Sequence, residues 1–320
     1  MMKMKKLLHR PDHISLIIPA IICTLLFSSG PAFGIQFTYI QHLYDITFDM
    51  NEPSDVAVSK NGQIYIVDGV NNRVVVSNKK GEVQFTFGKK GSGKGEMMFP
   101  LGIDVDDEGN VYLADSGNHR IQVFDSFGQY KSQLRVPSNE GAPSDPTDLI
   151  VNESENRMFV VDNDNHYILS YTLDTFELID TFGSPGMEKR EFRYPFLISA
   201  DKNNYLYIVD VINTRVQVLN SDGKFVQFIG GWGVEKGEFF RPKGVAVDSS
   251  NRVYVSDGYM GVIQIFKPNG EFDSVLSISD TSTVKKFNTP AGIYIDNHNR
   301  LYVVEMFANR VGVYSLGDQP

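Results

Sequence analysis

The chain has 320 residues, a formal net charge of −9 and one cysteine, Cys23. This acidic balance argues against a nucleic-acid binder, whose affinity rests on clustered Lys and Arg, and a single cysteine excludes a disulfide-built fold. Length alone would suggest two domains, but the residues after the leader are organised as a single series of repeats.

Residues 1–34 have the layout of a secretory signal peptide: Lys3, Lys5, Lys6 and Arg10, then the mostly apolar run Ile14 to Phe27, then small residues at Ala32 and Gly34. An uncleaved anchor is the alternative, although the run is short for a membrane span. The expected destination is exported, that is periplasmic, cell-surface or secreted. Removing the leader takes away four basic residues, one acid and Cys23, so the formal charge moves from −9 to −12.

From Pro53 the chain repeats. Aligned on Pro53, Pro100, Pro146, Pro195, Pro242 and Pro290, the steps are 47, 46, 49, 47 and 48 residues. Each repeat has a short apolar strand, a turn, and a second strand ending in an acid: IYIVD (Ile64 to Asp68), VYLAD (Val111 to Asp115), MFVVD (Met158 to Asp162), LYIVD (Leu206 to Asp210), VYVSD (Val253 to Asp257) and LYVVE (Leu301 to Glu305). A period in the forties built of strands predicts an all-β propeller with one blade per repeat, hence six blades of four antiparallel strands over residues 35–320. The sixth repeat stops near Leu316 without a fourth strand, and Phe37 to Gln41 near the start is a spare one. The N-terminal strand is therefore expected to close the last blade and to leave no open edge.

Candidate sites follow along the chain. Asp55 and Asp148 stand two residues past their prolines and Asp104 four past its own. They should lie near the channel opening, where an oxygen-rich cluster suits Ca²⁺; a local backbone-capping role competes with this. The stretch GKKGSGKG (Gly88 to Gly95) nearly matches a phosphate loop, but Gly follows the Lys and a strand follows the loop. Its counterpart GGWGVEKGEF (Gly230 to Phe239) marks it as repeat punctuation. Four turn acids have an Arg five residues on, Asp68/Arg73, Asp115/Arg120, Asp210/Arg215 and Glu305/Arg310, which suits a repeated structural pairing. Asp162 and Asp257 lack that Arg, leaving their charge available to a ligand. His119 and His166 follow the turn acid by four residues in adjacent repeats and share its face; His298 belongs to the opposite face. Trp232, the one tryptophan, sits in a glycine-rich loop and is a candidate contact for a partner.

The strings DGVNNRVVV (Asp68 to Val76), DSGNHRIQV (Asp115 to Val123) and DVINTRVQV (Asp210 to Val218), with PLGIDVDDEGNVY (Pro100 to Tyr112) and PKGVAVDSSNRVY (Pro242 to Tyr254), resemble the NHL repeat over about residues 50–315. Repeats 1, 2 and 4 match best. Repeats 3 and 5 depart at Tyr167 and Val262, where Arg is expected, and repeat 6 has Glu305 for Asp. The resemblance implies a six-bladed NHL propeller. It does not imply one activity, since relatives include RNA-binding and ubiquitin-ligase-linked modules, an amidating lyase and exported proteins without an assigned role. Few histidines and scattered acids favour a non-enzymatic, monomeric binding or scaffold module for a protein or glycan partner, contacted through Trp232, Asp162, Asp257, His119 and His166. Nucleic acid is excluded, and a membrane is reached only through the leader. The alternative is a metal-dependent propeller enzyme, lactonase-like or amidating-lyase-like, with Asp55, Asp104 and Asp148 as ligands.

Overall fold

The computed structural model describes residues 34–138, 143–278 and 283–317. The expected leader and Cys23 lie outside them. Strand β1 (Phe37–Thr47) precedes the repeats. Repeat 1 is β2 (Pro53–Val58), β3 (Ile64–Asp68), β4 (Arg73–Ser77) and β5 (Val83–Phe87). Repeat 2 is β6 (Pro100–Val105), β7 (Val111–Asp115), β8 (Arg120–Phe124) and β9 (Tyr130–Arg135). Repeat 3 is β10 (Pro146–Asn152), β11 (Arg157–Asp162), β12 (Tyr167–Thr172) and β13 (Leu178–Phe182). Repeat 4 is β14 (Pro195–Ala200), β15 (Leu206–Asp210), β16 (Arg215–Leu219) and β17 (Phe225–Ile229). Repeat 5 is β18 (Pro242–Val247), β19 (Val253–Asp257), β20 (Val262–Phe266) and β21 (Phe272–Ile278). Repeat 6 is β22 (Pro290–Ile295), β23 (Arg300–Glu305) and β24 (Arg310–Ser315).

The first strands β2, β6, β10, β14, β18 and β22 pack side by side in a closed ring. Burial then falls outward within a repeat. Second strands such as IYIVD are buried along their length, whereas fourth strands such as VQFTF alternate between partly buried and exposed. A strand covered on both faces reads as a continuous apolar run, and an outer one alternates. Apolar clusters form between neighbours; one joins Val67, Val74 and Phe87 of repeat 1 to Met97, Leu113 and Phe124 of repeat 2.

The sheets do not form six separate blades. Repeats 1 to 4 each make a four-stranded sheet, but repeats 5 and 6 are fused with β1 into one eight-stranded sheet, in the order β18-β19-β20-β21-β1-β24-β23-β22. The cause is the length of β1. Phe37 to Ile40 pairs in parallel with β21, and Gln41 to Thr47 pairs antiparallel with β24 across a bulge near His42. One strand thus satisfies the backbone groups of two edges. The segment beside the last repeat is Gln41 to Thr47, later than the expected Phe37 to Gln41.

Candidate functional site

The ends of the second strands, the turns after them and the loops entering each repeat lie at one end of the ring, here the turn face. The turn acids build it. Asp68, Asp115, Asp210 and Glu305 pair with their Arg at 2.7, 2.7, 2.9 and 2.7 Å. Each also accepts a backbone N–H from the loop entering its own repeat, for instance Asn51 N–H to Asp68 at 2.7 Å and Met98 N–H to Asp115 at 2.7 Å. This is a scaffold device repeated around the ring.

Asp162 and Asp257 follow the same plan without Arg, which corrects the expectation that their charge is free. Asp162 accepts from Asp145 N–H at 2.9 Å and from the Asn165 amide at 2.8 Å. Asp257 accepts from the N–H groups of Phe240, Arg241, Tyr259 and Met260. Both carboxylates are buried. Local N–H donors replace the missing guanidinium, and neither acid is open to a ligand.

His119 and His166 occupy the left-handed position that ends each turn, with φ of 56° and 62°. From there they clasp the next repeat. His166 Nδ1 accepts from Tyr194 N–H at 3.1 Å, as Asn72 Oδ1 accepts from Phe99 N–H at 2.9 Å and Asn309 Oδ1 from Glu52 N–H at 2.9 Å. His119 Nδ1 faces the Ser144 carbonyl. The two histidines sit at equivalent positions of adjacent repeats, each engaged with the following one.

The same face carries exposed aromatic side chains. Trp232 is 76% exposed, Tyr259 66%, Phe307 62% and Phe99 53%, with Phe48 and Tyr194 also exposed. Their loops alternate inside and outside. Trp232 bridges to Phe239, and Phe239 is fully buried, as is Met97 at the matching place in repeat 2. Phe240 stacks on Tyr259 with ring centroids 4.3 Å apart. Phe99 and Tyr194, each just before a proline, have φ of 46° and 56°. That backbone region is unfavourable for bulky residues. Sequence reasoning singled out Trp232 and missed the aromatic positions of the turns, Tyr259 and Phe307, whose signal is an aromatic two residues past the turn acid. Among the described residues, repeat 3 adds no large exposed apolar side chain to this face and presents Asp164 there instead.

Asp55, Asp104 and Asp148 are brought together, lining one cavity of about 50 Å³ inside the ring with Leu197, Val245 and Tyr294. A bulge follows the proline in each of their first strands, with register shifts at Pro53/Val56, Pro100/Ile103 and Pro146/Asp148, and bulges re-aim side chains. Each acid reaches sideways: Asp55 accepts from Ile103 N–H at 3.1 Å, Asp104 from Val151 N–H at 2.8 Å and Asp148 from Ile198 N–H at 2.8 Å. Three carboxyls thereby stitch repeats 1 to 2, 2 to 3 and 3 to 4. Burial pushes Asp55 and Asp104 up to about 7 and Asp148 well above the usual carboxylate range, with Asp55 as a second cause at Asp148. Asp148 Oδ1 has no hydrogen-bond partner among the described residues. Nor do three His, Cys, Asp or Glu side chains converge there as a metal-holding group. The acids are engaged one by one with separate backbone groups, so the arrangement does not fit a shared Ca²⁺.

The family profile for the NHL repeat matches residues 50–76, 97–124 and 239–266, which are repeats 1, 2 and 5. The chain carries NHL repeats. Among its NHL repeats the profile picks out repeat 5 and not repeat 4, the reverse of what the turn strings suggest. No curated protein matches the sequence. Solved structures show the same fold at low identity. A gluconolactonase of Xanthomonas campestris superposes with a TM-score of 0.65 at 15% identity, over 91% of this chain and 99% of its own. A catalytically inactive variant of virginiamycin B lyase from Staphylococcus aureus, solved with quinupristin, gives 0.61 at 15%, over 84% and 82%. A Bacteroides thetaiotaomicron protein of unknown function gives 0.63 at 17%, over 88% and 73%. At these identities the likeness concerns the fold, and an NHL propeller supports unrelated activities.

Proposed function

We propose that this NHL propeller is an exported, monomeric binding module that docks a protein partner on its turn face. The observation that carries this reading is the set of exposed aromatics, Phe48, Phe99, Tyr194, Trp232, Tyr259 and Phe307, held on one face by hydrogen-bonded turns. Large exposed apolar side chains gathered on one face mark interaction sites, and aromatic anchors dominate their energetics. Aliphatic Val70, Ile212 and Val234 are exposed on the same face, which favours a protein over a glycan. The test is capture from the host's envelope with wild type beside a Trp232→Ala/Tyr259→Ala double variant. Retention of one protein by wild type and its loss by the variant is expected. Equal retention would remove the reading, and glycan retention alone would redirect it.

A second reading, a propeller hydrolase or lyase, draws on one observation, the cluster of buried acids with the unpartnered Asp148 Oδ1. Buried carboxyls near neutrality suit acid–base work. Their cavity of about 50 Å³ is far below the hundreds of cubic ångströms of typical ligand sites, so the binding reading stands ahead.

A further inference from the structure

A cleft of about 450 Å³ lies at the opposite end of the ring, between the first turns of repeats 6, 1 and 2. Its volume suits a ligand of sugar size. Tyr294 forms its inner wall and also lines the cavity of the axial acids.

Both signs of charge line the cleft, but its acids are committed to protein donors. Asp106 accepts from Asn110 N–H, the Asn110 amide and the Tyr112 hydroxyl. Asp296 accepts from the N–H groups of His298 and Arg300, from Arg300 Nε and from the Tyr302 hydroxyl. Asp107 is paired with Lys60. The donors are less committed. The Lys79 ammonium, the His298 ring and the Asn61 amide nitrogen have no hydrogen-bond or ion-pair partner among the described residues. The base of the exposed Lys79 side chain is nevertheless held in place. Its stem packs over Gly62, where an added Cβ would lie 3.2 Å from Lys79 Cβ, and its carbonyl accepts from the Tyr44 hydroxyl at 2.8 Å.

We infer that this cleft binds a small organic anion rich in acceptor oxygens, such as a sugar acid, with Lys79 and His298 facing its carboxylate and Asn61 a hydroxyl. Surplus donors call for acceptors, and a flexible cation fixed by its stem loses less entropy on binding. The inference is independent of the turn face, which lies at the other end of the ring.

Calorimetric titration of the purified protein with glucuronate, glucose and inorganic phosphate tests it. Glucuronate should bind, with glucose at least about tenfold weaker, since a charged hydrogen bond is worth about tenfold or more in affinity. Lys79→Met and His298→Gln should each weaken glucuronate by about tenfold, and Trp232→Ala should leave it unchanged. Lys79 and His298 are surface side chains, and melting curves would verify that the variants fold. Absence of glucuronate binding, or binding unmoved by both variants, would overturn the inference. So would phosphate binding as tightly as glucuronate, because the cleft would then recognise charge alone.

Discussion

At the residue scale, the axial acids set how stability depends on pH. Asp55 and Asp104 are pushed up to about 7 by burial, from an ordinary value of 3.8. A group whose pKa is raised on folding contributes fully where both folded and unfolded forms are protonated, below about pH 4. That contribution is lost as pH climbs toward 7, because the unfolded chain sheds its proton first. Each pKa difference of one is worth about 1.4 kcal/mol, so a few kcal/mol are at stake. Melting temperature should therefore fall between pH 5 and pH 8 on account of these acids. Asp148→Asn keeps an acceptor for Ile198 N–H and cannot ionise. It should melt higher than wild type at pH 8 and show a flatter profile. A variant that melts lower at pH 8 would show that the ionised carboxylate stabilises the ring. The sequence placed these acids near the channel because they stand two or four residues past the prolines. It could not show that the bulge turns them sideways onto the next repeat, and from that turn follows a stitching role in place of a shared cation.

At the element scale, the repeats were legible because each strand's burial is written in its pattern. Second strands are continuous apolar runs, the fourth strands of repeats 1 and 2 alternate, and acid-ended turns recur every 47 or 48 residues. The joining of repeats 5 and 6 was not legible. It depends on which edges an 11-residue strand can reach, and both edges lie more than two hundred residues away in sequence. The closing segment also lies later in β1 than Phe37 to Gln41. Fourth strands in repeats 1, 3 and 4 are each followed by a twelve-residue connection, whereas β1 reaches β2 through five residues, 48–52. Ile40 and Ile46 of β1 are both fully buried, in two different core clusters. Removing residues 35–48 would expose both clusters and free the edges of β21 and β24. The truncated protein should lose its cooperative transition or melt far lower, and should aggregate through the open edges. Unchanged melting by circular dichroism would show that β1 decorates the ring without closing it.

At the scale of the whole molecule, the ring has a turn face rich in exposed aromatics and an opposite face with a polar cleft, and the chain's one tryptophan reports on the first. Trp232 is largely exposed in the folded protein while its neighbour Phe239 is core. Folding therefore buries little of the indole, and its emission should be that of a solvated ring in both native and unfolded states, with efficient acrylamide quenching in each. Unfolding should be nearly silent by tryptophan fluorescence yet cooperative by circular dichroism. The proposed docking on the turn face would bury the indole, so a bound partner should shift the emission to the blue and protect it from quencher, because burial in an apolar interface removes the ring from water. Glucuronate in the opposite cleft should do neither. A tryptophan already blue-shifted and protected in the isolated protein would mean that this loop packs against the ring or against a second copy. Size-exclusion chromatography would separate those cases, since a second copy doubles the mass and a packed loop leaves it unchanged.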